Sequence, residues 1–180
     1  MAVLVVGDVH GCYYSLKSLV KTYWNSADDK LILVGDYINK GPFSAKAFHY
    51  LLKKRREFPR RVFLLRGNHE QWFLDAYHKK TKSASYLKVL QEFVELGYKE
   101  SEIAALIRLL PLSWEDENLL VSHAGVAIEA ADPFNISTAD NVLVNRKTLK
   151  LLPKFQVIGH NVVKGNKPIY RPKETAWYID

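Results

Sequence analysis

Cysteine is nearly absent from this sequence, with Cys12 the only one in 180 residues. A lone thiol cannot form an intramolecular disulfide, so the fold does not depend on an oxidising compartment. No apolar run reaches the about 18 residues that a membrane-spanning helix needs. The apolar run at residues 2–6 is too short for a signal peptide and lacks a basic segment. We therefore expect a soluble, cytoplasmic protein with no membrane association.

Three motifs of nucleotide-binding proteins and hydrolases are missing. GDVHG at 7–11 lacks the G-x-G-x-x-G spacing of a dinucleotide-binding turn. In NKGP at 39–42 the lysine precedes the glycine, which excludes a G-x-x-x-x-G-K-[ST] phosphate loop. No G-x-S-x-G nucleophile elbow is present, and nothing in the sequence marks Cys12 as activated.

Positive charge is in excess, with 26 basic against 19 acidic side chains and a net charge of +7. This excess favours anionic partners, namely phosphate esters, acidic proteins or nucleic acid, without choosing among them. The densest basic run is KKRR at 53–56, on a predicted helix end. Such a run is more often a solvated face than a docking patch. Nucleic-acid binding is not indicated, and the oligomeric state is not fixed.

Length and composition fit one globular domain over residues 1–180. Short apolar runs at 2–6, 30–34 and 62–65 each end at a glycine and read as buried parallel strands. Helical periodicity at 14–23 and 44–56 separates them, which predicts a β-α-β-α-β order.

The rest of the chain changes from helices to strands. Residues 70–110 have a helical pattern with a break at Gly97, and we expect them to form a helical cap. Strands are predicted at 119–122, 155–158 and, more weakly, 175–179. The sequence thus predicts a layered α/β protein with a second, mixed or antiparallel set of strands.

Five segments share one pattern, in which glycine and a ligand-type side chain meet at the end of a strand. They contain four of the six histidines. Because the carboxyl ends of parallel strands meet at one edge of a sheet, these side chains should lie together. The segments are GDVHG (7–11), GDYINKG (35–41), GNHE (67–70), SHAG (122–125) and GHN (159–161).

The donors in these segments are carboxylate, amide and imidazole groups without thiolate. That set suits manganese, iron or zinc better than a calcium cage or a cysteine zinc site. Several carboxylates and imidazoles in one cleft suggest two ions about 3.5–4 Å apart that clamp a phosphoryl group. Each segment alone has a plainer interpretation, such as a helix N-cap or a turn, and the coincidence of five decides against it. His49 and His78 lie inside helical patterns and are assigned no chemistry.

As an ordered set, these segments resemble the calcineurin-type metallophosphoesterases. Within that group they are similar to the phosphoprotein phosphatases (serine/threonine phosphatase-like), including small bacterial and phage members. VNRK at 144–147 adds to the resemblance, which covers nearly the whole chain. The resemblance implies an α/β sandwich of two mixed β-sheets flanked by helices.

The resemblance also implies a role for each matching residue. Two divalent ions would be bound, with manganese expected and iron or zinc as alternatives. Asp36 would bridge the two ions. The first ion would be held by Asp8, His10 and Asp36, and the second by Asp36, Asn68, His123 and His160.

Catalysis in that family implies direct attack of a metal-bound hydroxide on phosphorus, without a covalent enzyme intermediate. His69 would protonate the leaving oxygen as general acid. Arg146 would grip phosphate through its planar fork, although a surface salt bridge is the alternative use.

Two residues of GDYINKG depart from the family's usual GDYVDRG. Asn39 replaces the aspartate that pairs with the catalytic histidine, which should make His69 a less readily protonated acid. Lys40 replaces a phosphate-binding arginine, which keeps the charge but loses the bidentate fork.

A further likeness is to the symmetrical diadenosine tetraphosphate hydrolases. They also lack that aspartate and continue G-P-x-S, as Gly41, Pro42 and Ser44 do here. They keep the arginine, usually read GNHD and tend to be longer. The family also continues past a Y-x-D-like strand into further strands, whereas this sequence stops at WYID. Either the chain is naturally short or a segment is missing, and a true end there would expose a sheet edge beside the site.

The leading prediction is a two-metal phosphoesterase acting on phosphorylated proteins. The first alternative is a dinucleoside polyphosphate hydrolase, and the second is a metal-binding or phosphate-binding module without turnover. Trp72 and Trp114 could shape specificity at the surface, but core packing is the expected use of both.

Overall fold

The first β-sheet is parallel and carries the predicted β-α-β-α-β order. A computed structural model describes residues 2–165 and 167–180. Strands β1 (Val3–Val6), β2 (Lys30–Leu33) and β3 (Val62–Leu64) lie in the order β1-β2-β3, and both pairs are parallel. Helices α1 (Tyr13–Tyr23) and α2 (Ser44–Glu57) connect them. The three strand ends therefore meet at one edge, as the sequence predicts.

Three helices follow β3 where one helical region was expected. They are α3 (Asn68–Lys79), α4 (Ala84–Glu95) and α5 (Glu100–Arg108). Gly97, at φ +86°, separates α4 from α5 as predicted. The break between α3 and α4 was not predicted, because the left-handed residue that ends α3 is Lys80 (φ 53°) rather than a glycine.

The second β-sheet is mixed and has five strands in the order β4-β5-β6-β8-β7. Its β5 and β6 match the predicted strands, and β8 is shorter by a residue at each end. The two unpredicted strands each have three residues, too few to show an alternating pattern. The strands are β4 (Ser113–Glu115), β5 (Leu119–Ser122), β6 (Phe155–Ile158), β7 (Ile169–Arg171) and β8 (Ala176–Tyr178).

Successive side chains of the first sheet point to opposite faces, and each face packs against a different layer of the protein. Leu31 and Leu33 point into a core shared with the helices. Ile32 and Val34 point the other way, where they pack with Val121 and other residues of the second sheet. The order is thus helices, first sheet, second sheet. The predicted α/β fold of two sheets flanked by helices is confirmed, although only the second sheet is mixed.

Across residues 2–165 and 167–180, every helix is too short or too polar to cross a bilayer.

Candidate metal centre

The Asp36 carboxylate lies at the centre of the side chains that gather at the strand ends. Its Oδ2 is 3.6 Å from His10 Nε2 and 3.8 Å from His69 Nε2. Its Oδ1 is 3.5 Å from His123 Nε2 and accepts a 2.9 Å hydrogen bond from the His69 backbone N–H. The two oxygens of Asp36 therefore face different imidazoles.

Two clusters of metal-ligand donors share Asp36. One contains His10, Asp36 and His69, and the other contains Asp8, Asp36 and His123. Within each cluster the donor atoms lie within 4.8 Å of one another. His69 thus lies close enough to Asp36 to be one of the donors, although the sequence predicts that it acts as general acid.

Backbone carbonyls fix the orientation of two imidazoles. His10 Nδ1 donates to Ile38 O at 3.1 Å, and His123 Nδ1 donates to Val34 O at 3.2 Å. Each Nε2 is then left with a lone pair that faces the cluster, and that of His10 accepts a 2.8 Å hydrogen bond from Lys40 Nζ. Asn68 Oδ1 lies 2.8 Å from His123 Nε2, so two acceptor atoms face each other. A bound cation satisfies such a pair.

His160 joins the site from the loop after β6. Its backbone N–H donates to Asp8 Oδ1 at 3.1 Å, and its ring lies 4.9 Å from that of His123. Within residues 2–165 and 167–180 the buried His160 Nε2 has no hydrogen-bond partner. A buried imidazole nitrogen of this kind calls for an explanation, and a metal ion supplies one.

Two glycines make room for the carboxylates. A Cβ at Gly67 would lie 2.2 Å from Asp36 Oδ1, and one at Gly159 would lie 2.2 Å from Asp8 Oδ1. Any side chain at these positions would displace a carboxylate. Close approach is the reason for glycine at these two strand ends.

Backbone strain is concentrated at the same place. Left-handed φ values cost free energy in residues other than glycine and persist where the surrounding structure enforces them. Of seven such residues in the described chain, five belong to the site loops. They are His10 (43°), Asp36 (52°), Asn39 (67°), Lys40 (61°) and His160 (59°).

Glu70 holds the Asp36 loop and was not predicted to contribute. It is fully buried, and its carboxylate accepts hydrogen bonds from the backbone N–H groups of Asp36 (2.7 Å), Tyr37 (2.8 Å) and Gly67 (2.9 Å). The bond to Gly67 is that of a helix capping box. The glutamate at the third position of the helix could have predicted the capping box. It could not have predicted the hydrogen bonds from Glu70 to the Asp36 loop.

Burial sets the protonation of the site. It raises the pKa of Asp8 to about 7, and the nearby charge of Asp180 adds to the rise. It also raises the pKa of Asp36 well above its ordinary value, with repulsion from Glu70 as the next cause. Burial lowers the pKa of His69 to about 3. Neutral forms are therefore favoured until a cation compensates the carboxylates. Burial lowers the pKa of the other imidazoles too, namely His10, His123 and His160 (to about 4).

His69 packs against Trp72. The two rings lie 4.5 Å apart at 52°, and Trp72 is 53% exposed rather than in the core. In the described chain, His69 Nδ1 is buried without a hydrogen-bond partner. Asn39 bonds through its backbone N–H to Ser44 Oγ at 3.1 Å, and no bond from its side chain to His69 is present in that part of the chain.

Two cations border the cluster. Lys40 Nζ lies 2.8 Å from His10 Nε2, the nitrogen that faces the donors. Arg146 Nη1 donates to Asn161 Oδ1 at 3.4 Å, and its charge is one cause of the low pKa of His160. Both therefore lie where an anion held by the cluster would meet them.

Together these donors fit divalent cations. They offer oxygen and imidazole groups, paired acceptors and an unpartnered nitrogen, without a thiolate.

The sequence pattern of the calcineurin-like phosphoesterases matches residues 1–178. The chain belongs to the calcineurin-like phosphoesterase family. This confirms the resemblance seen in the strand-end segments and places the chain in a family of hydrolases.

Serine/threonine phosphatases are among the proteins whose sequences are similar to this chain. The serine/threonine-protein phosphatase 6 catalytic subunit of Drosophila melanogaster is 32% identical over 145 residues, 77% of this chain and 44% of that protein. The PP2A-like phosphatase PPG1 of Candida albicans is 28% identical over 150 residues, 78% of this chain and 35% of that protein. The chain spans less than half the length of these relatives.

Solved structures share the fold of this family member. A Saccharomyces cerevisiae serine/threonine phosphatase with similarity to human PP5 has a TM-score of 0.70 at 16% identity, covering 98% of this chain and 66% of that one. A protein provisionally assigned as a diadenosine tetraphosphatase has a TM-score of 0.68 at 22% identity, covering 99% and 82%.

Proposed function

We propose that the chain forms one catalytic domain, with residues 70–110 as its helical cap, that hydrolyses phosphate monoesters with two divalent ions. The observation that carries this proposal is the position of Asp36, whose carboxylate is shared by two donor clusters. A shared carboxylate is what a two-ion site requires.

We assign the ligands as the family resemblance implies, which places Asp8 with His10, 3.8 Å away, although in the donor clusters Asp8 is grouped with His123. Asp8, His10 and Asp36 would hold one ion, and Asp36 would reach the second. Bound ions would supply Lewis-acid polarisation of the phosphoryl oxygens and an activated water. The remaining ligands of the second ion would be Asn68, His123 and His160.

The chain's own side chains would do the rest. His69 would give a proton to the leaving oxygen from the small imidazolium fraction that its lowered pKa leaves at neutral pH, and Trp72 would hold the imidazole in place through ring contact. Arg146 and Lys40 would neutralise the phosphate oxygens. Manganese is the metal we expect, with iron or zinc as alternatives, and the single cysteine fits a cytoplasmic setting.

For the substrate, we favour phosphoserine or phosphothreonine in proteins. The similarity to serine/threonine phosphatases at up to 32% identity, and the GNHE segment, support this choice. A dinucleoside polyphosphate is the second candidate. It is favoured by the G-P-x-S segment, where the Asn39 N–H donates to Ser44 Oγ as part of the site loop.

Hydrolysis of an aryl phosphate, with and without added manganese, tests the proposal. We expect metal-dependent turnover that a His69→Ala variant reduces strongly. If the wild type is no faster than His69→Ala with manganese, iron or zinc, the chain is a binding module without turnover and the proposal is wrong.

The products of two natural substrate types separate the candidates. Release of phosphate from a phosphoserine or phosphothreonine peptide, without cleavage of diadenosine tetraphosphate, supports the protein phosphatase. Formation of two ADP from diadenosine tetraphosphate supports the nucleotide hydrolase.

A further inference from the structure

Helix α2 carries a row of basic side chains on one face, which we call the α2 stripe. It consists of Lys46, His49, Lys53 and Arg56, all exposed. The spacing of three, four and three residues places these side chains above one another along the helix. Lys53 and Arg56, three residues apart, are like charges, and one such pair destabilises a helix by about 0.2–0.5 kcal/mol. The stripe therefore carries a cost that the fold must offset.

Glu57 offsets that cost in part, because its charge is attracted to Lys53 and Arg56. In residues 2–165 and 167–180, the cations of the stripe form no ion pair within 4.0 Å, whereas the adjacent Lys54 pairs with Glu57 at 2.8 Å. His49 Nδ1 instead bonds to the Tyr98 hydroxyl at 2.8 Å. The charges of the stripe are thus available to an acidic ligand.

Cavities border the stripe on both sides. One of about 520 Å³ lies between α1 and α2, where Lys17 and Tyr14 face Lys46. A second of about 420 Å³ lies between α2 and α5, and a third of about 500 Å³ adjoins it. His49 borders all three, and we call the three cavities together the groove; Glu57 lines the first of them and Glu102 the third.

The floor of this groove beyond the stripe is aliphatic. Leu52, Leu106 and Leu109 line the second cavity, and Leu109 is 71% exposed. Such a surface accepts a leucine-type side chain, since it buries apolar area without leaving a polar group unpaired.

Two of the aromatic rings that line the groove, Tyr13 and Tyr50, are poor platforms for nucleic-acid bases. Lys17 Nζ lies 5.8 Å above the Tyr13 ring, and Lys54 Nζ lies 5.9 Å above the Tyr50 ring. Base stacking needs open ring faces. The chemistry of the groove therefore favours an acidic peptide over a nucleic acid.

Helix α2, which carries the stripe, begins beside the candidate metal centre. Ser44, the first residue of α2, accepts a hydrogen bond from the Asn39 N–H in the Asp36 loop. Phe43 N–H donates to Gly11 O at 3.2 Å, next to His10. With 14 residues, α2 leads away from this loop for about 21 Å. A segment bound at Lys53 and Arg56 would lie about 14–18 Å along α2 from this loop, at about 1.5 Å per residue, and would extend toward the site at its Lys46 end.

We propose that the α2 stripe and its groove dock a segment of a partner protein that alternates acidic and leucine-type side chains. Acidic groups would pair with Lys53 and Arg56, and a leucine would occupy the cavity beside Leu109. Binding needs no turnover, so the proposal stands apart from the proposed catalytic activity.

Fluorescence anisotropy of a labelled peptide built from glutamate and leucine tests it. We expect the dissociation constant to rise at least about tenfold in the double variant Lys53→Glu/Arg56→Glu, because paired charges become repulsive. Leu109→Ser should weaken binding of this peptide several-fold and leave an all-glutamate peptide unaffected. Both variants should keep the circular dichroism spectrum and thermal unfolding midpoint of the wild type, which reports that they fold whether or not the chain has turnover.

The control is Lys150→Glu/Lys173→Glu, which makes the same change in charge at exposed positions outside the groove. It should bind the peptide as the wild type does. Equal loss in both double variants would mean that net charge alone acts and would overturn the proposal. Three other results would also overturn the proposal. They are an affinity for the all-glutamate peptide equal to that for the glutamate–leucine peptide, unchanged binding in Lys53→Glu/Arg56→Glu, and tighter binding of a single-stranded oligonucleotide of matched charge.

Discussion

Glu70 Oε2 accepts a 2.7 Å hydrogen bond from the Asp36 backbone N–H, which ties the start of α3 to the loop after β2. The same carboxylate also receives the N–H groups of Tyr37 and Gly67. Two neighbouring strand ends are thus held by one buried side chain. The position of the Asp36 carboxylate depends on it.

Replacing Glu70 by glutamine should loosen the metal centre. Hydrogen bonds to a charged acceptor contribute about 1.5–3 kcal/mol each, and glutamine removes the charge and one acceptor. We expect metal affinity, measured by titration calorimetry, to fall at least about tenfold, since each tenfold corresponds to about 1.4 kcal/mol.

A matched control exists on α5. Glu102 accepts the Lys99 N–H at 2.8 Å in a second capping box, but it is exposed and remote from the donors. Glu102→Gln should leave metal affinity unchanged. Similar losses in the two variants would show that Glu70 acts only as a helix cap.

The stability of the metal-free protein should fall as the pH rises above about 6.5. Burial raises the pKa of Asp8 and of Glu70 to about 7 and raises that of Asp36, so the folded protein keeps protons that the unfolded chain has lost. Burial also lowers the pKa of His69 to about 3 and that of His160 to about 4. Below the ordinary histidine pKa of about 6.5, the unfolded chain therefore binds more protons at these residues than the folded protein does, and stability rises with pH. Above that pH only the carboxyls differ between the two states, and stability declines.

Urea unfolding of chelator-treated protein across this pH range measures the slope. Asp8→Asn should make the slope shallower, because one of the shifted groups is removed. Saturating manganese should reverse it, since metal binding requires deprotonated ligands. A metal-free stability that rises from pH 6.5 upward would contradict the assigned shifts.

Asn39→Asp should raise turnover. A carboxylate near His69 would stabilise the imidazolium and raise its pKa, so that more of the acid form is present at neutral pH. The alkaline limb of the kcat–pH profile should move to higher pH. Asn39→Ala is the control, and we expect little change because in the described chain the Asn39 side chain makes no hydrogen bond to His69. Equal or lower turnover in Asn39→Asp would indicate a site built around the amide.

Trp72→Ala should lower kcat by about tenfold with little change in KM. The contact with His69 is of the kind worth about 0.5–1.5 kcal/mol, and its loss frees the imidazole to leave its catalytic orientation. Trp72→Phe should restore most of the rate. Trp177, exposed and 5.1 Å from Tyr170 on the second sheet, provides the control substitution to alanine. A larger effect on KM than on kcat would mean that Trp72 contacts substrate instead.

Most of the fold could be predicted because the sequence features that indicate strands, helices and turns lie close together along the chain. Strand, glycine and ligand follow each other directly around Asp8, Asp36 and Asn68, and the structure brings these side chains together. The hydrogen bonds of Glu70 could not be predicted, because they join residues 33 and 34 positions apart whose proximity depends on the sheet. The roles of the site residues stay predictions.

The unpredicted position of Trp72 has a physical reason as well. Trp72 is an apolar residue in a helical pattern, but the pattern alone does not predict which face of α3 packs against the core. His69 and Trp72, three residues apart, lie on the face that turns to the metal centre. Phe73 and Leu74 fill the core instead.

Metal content per chain, measured by elemental analysis of the wild type and of Asp36→Asn, tests the central claim most directly. The account predicts two divalent ions in the manganese-loaded wild type and loss of both in Asp36→Asn, because the shared carboxylate serves both donor clusters. A wild type that holds no ion, or an Asp36→Asn variant that keeps two, would contradict it.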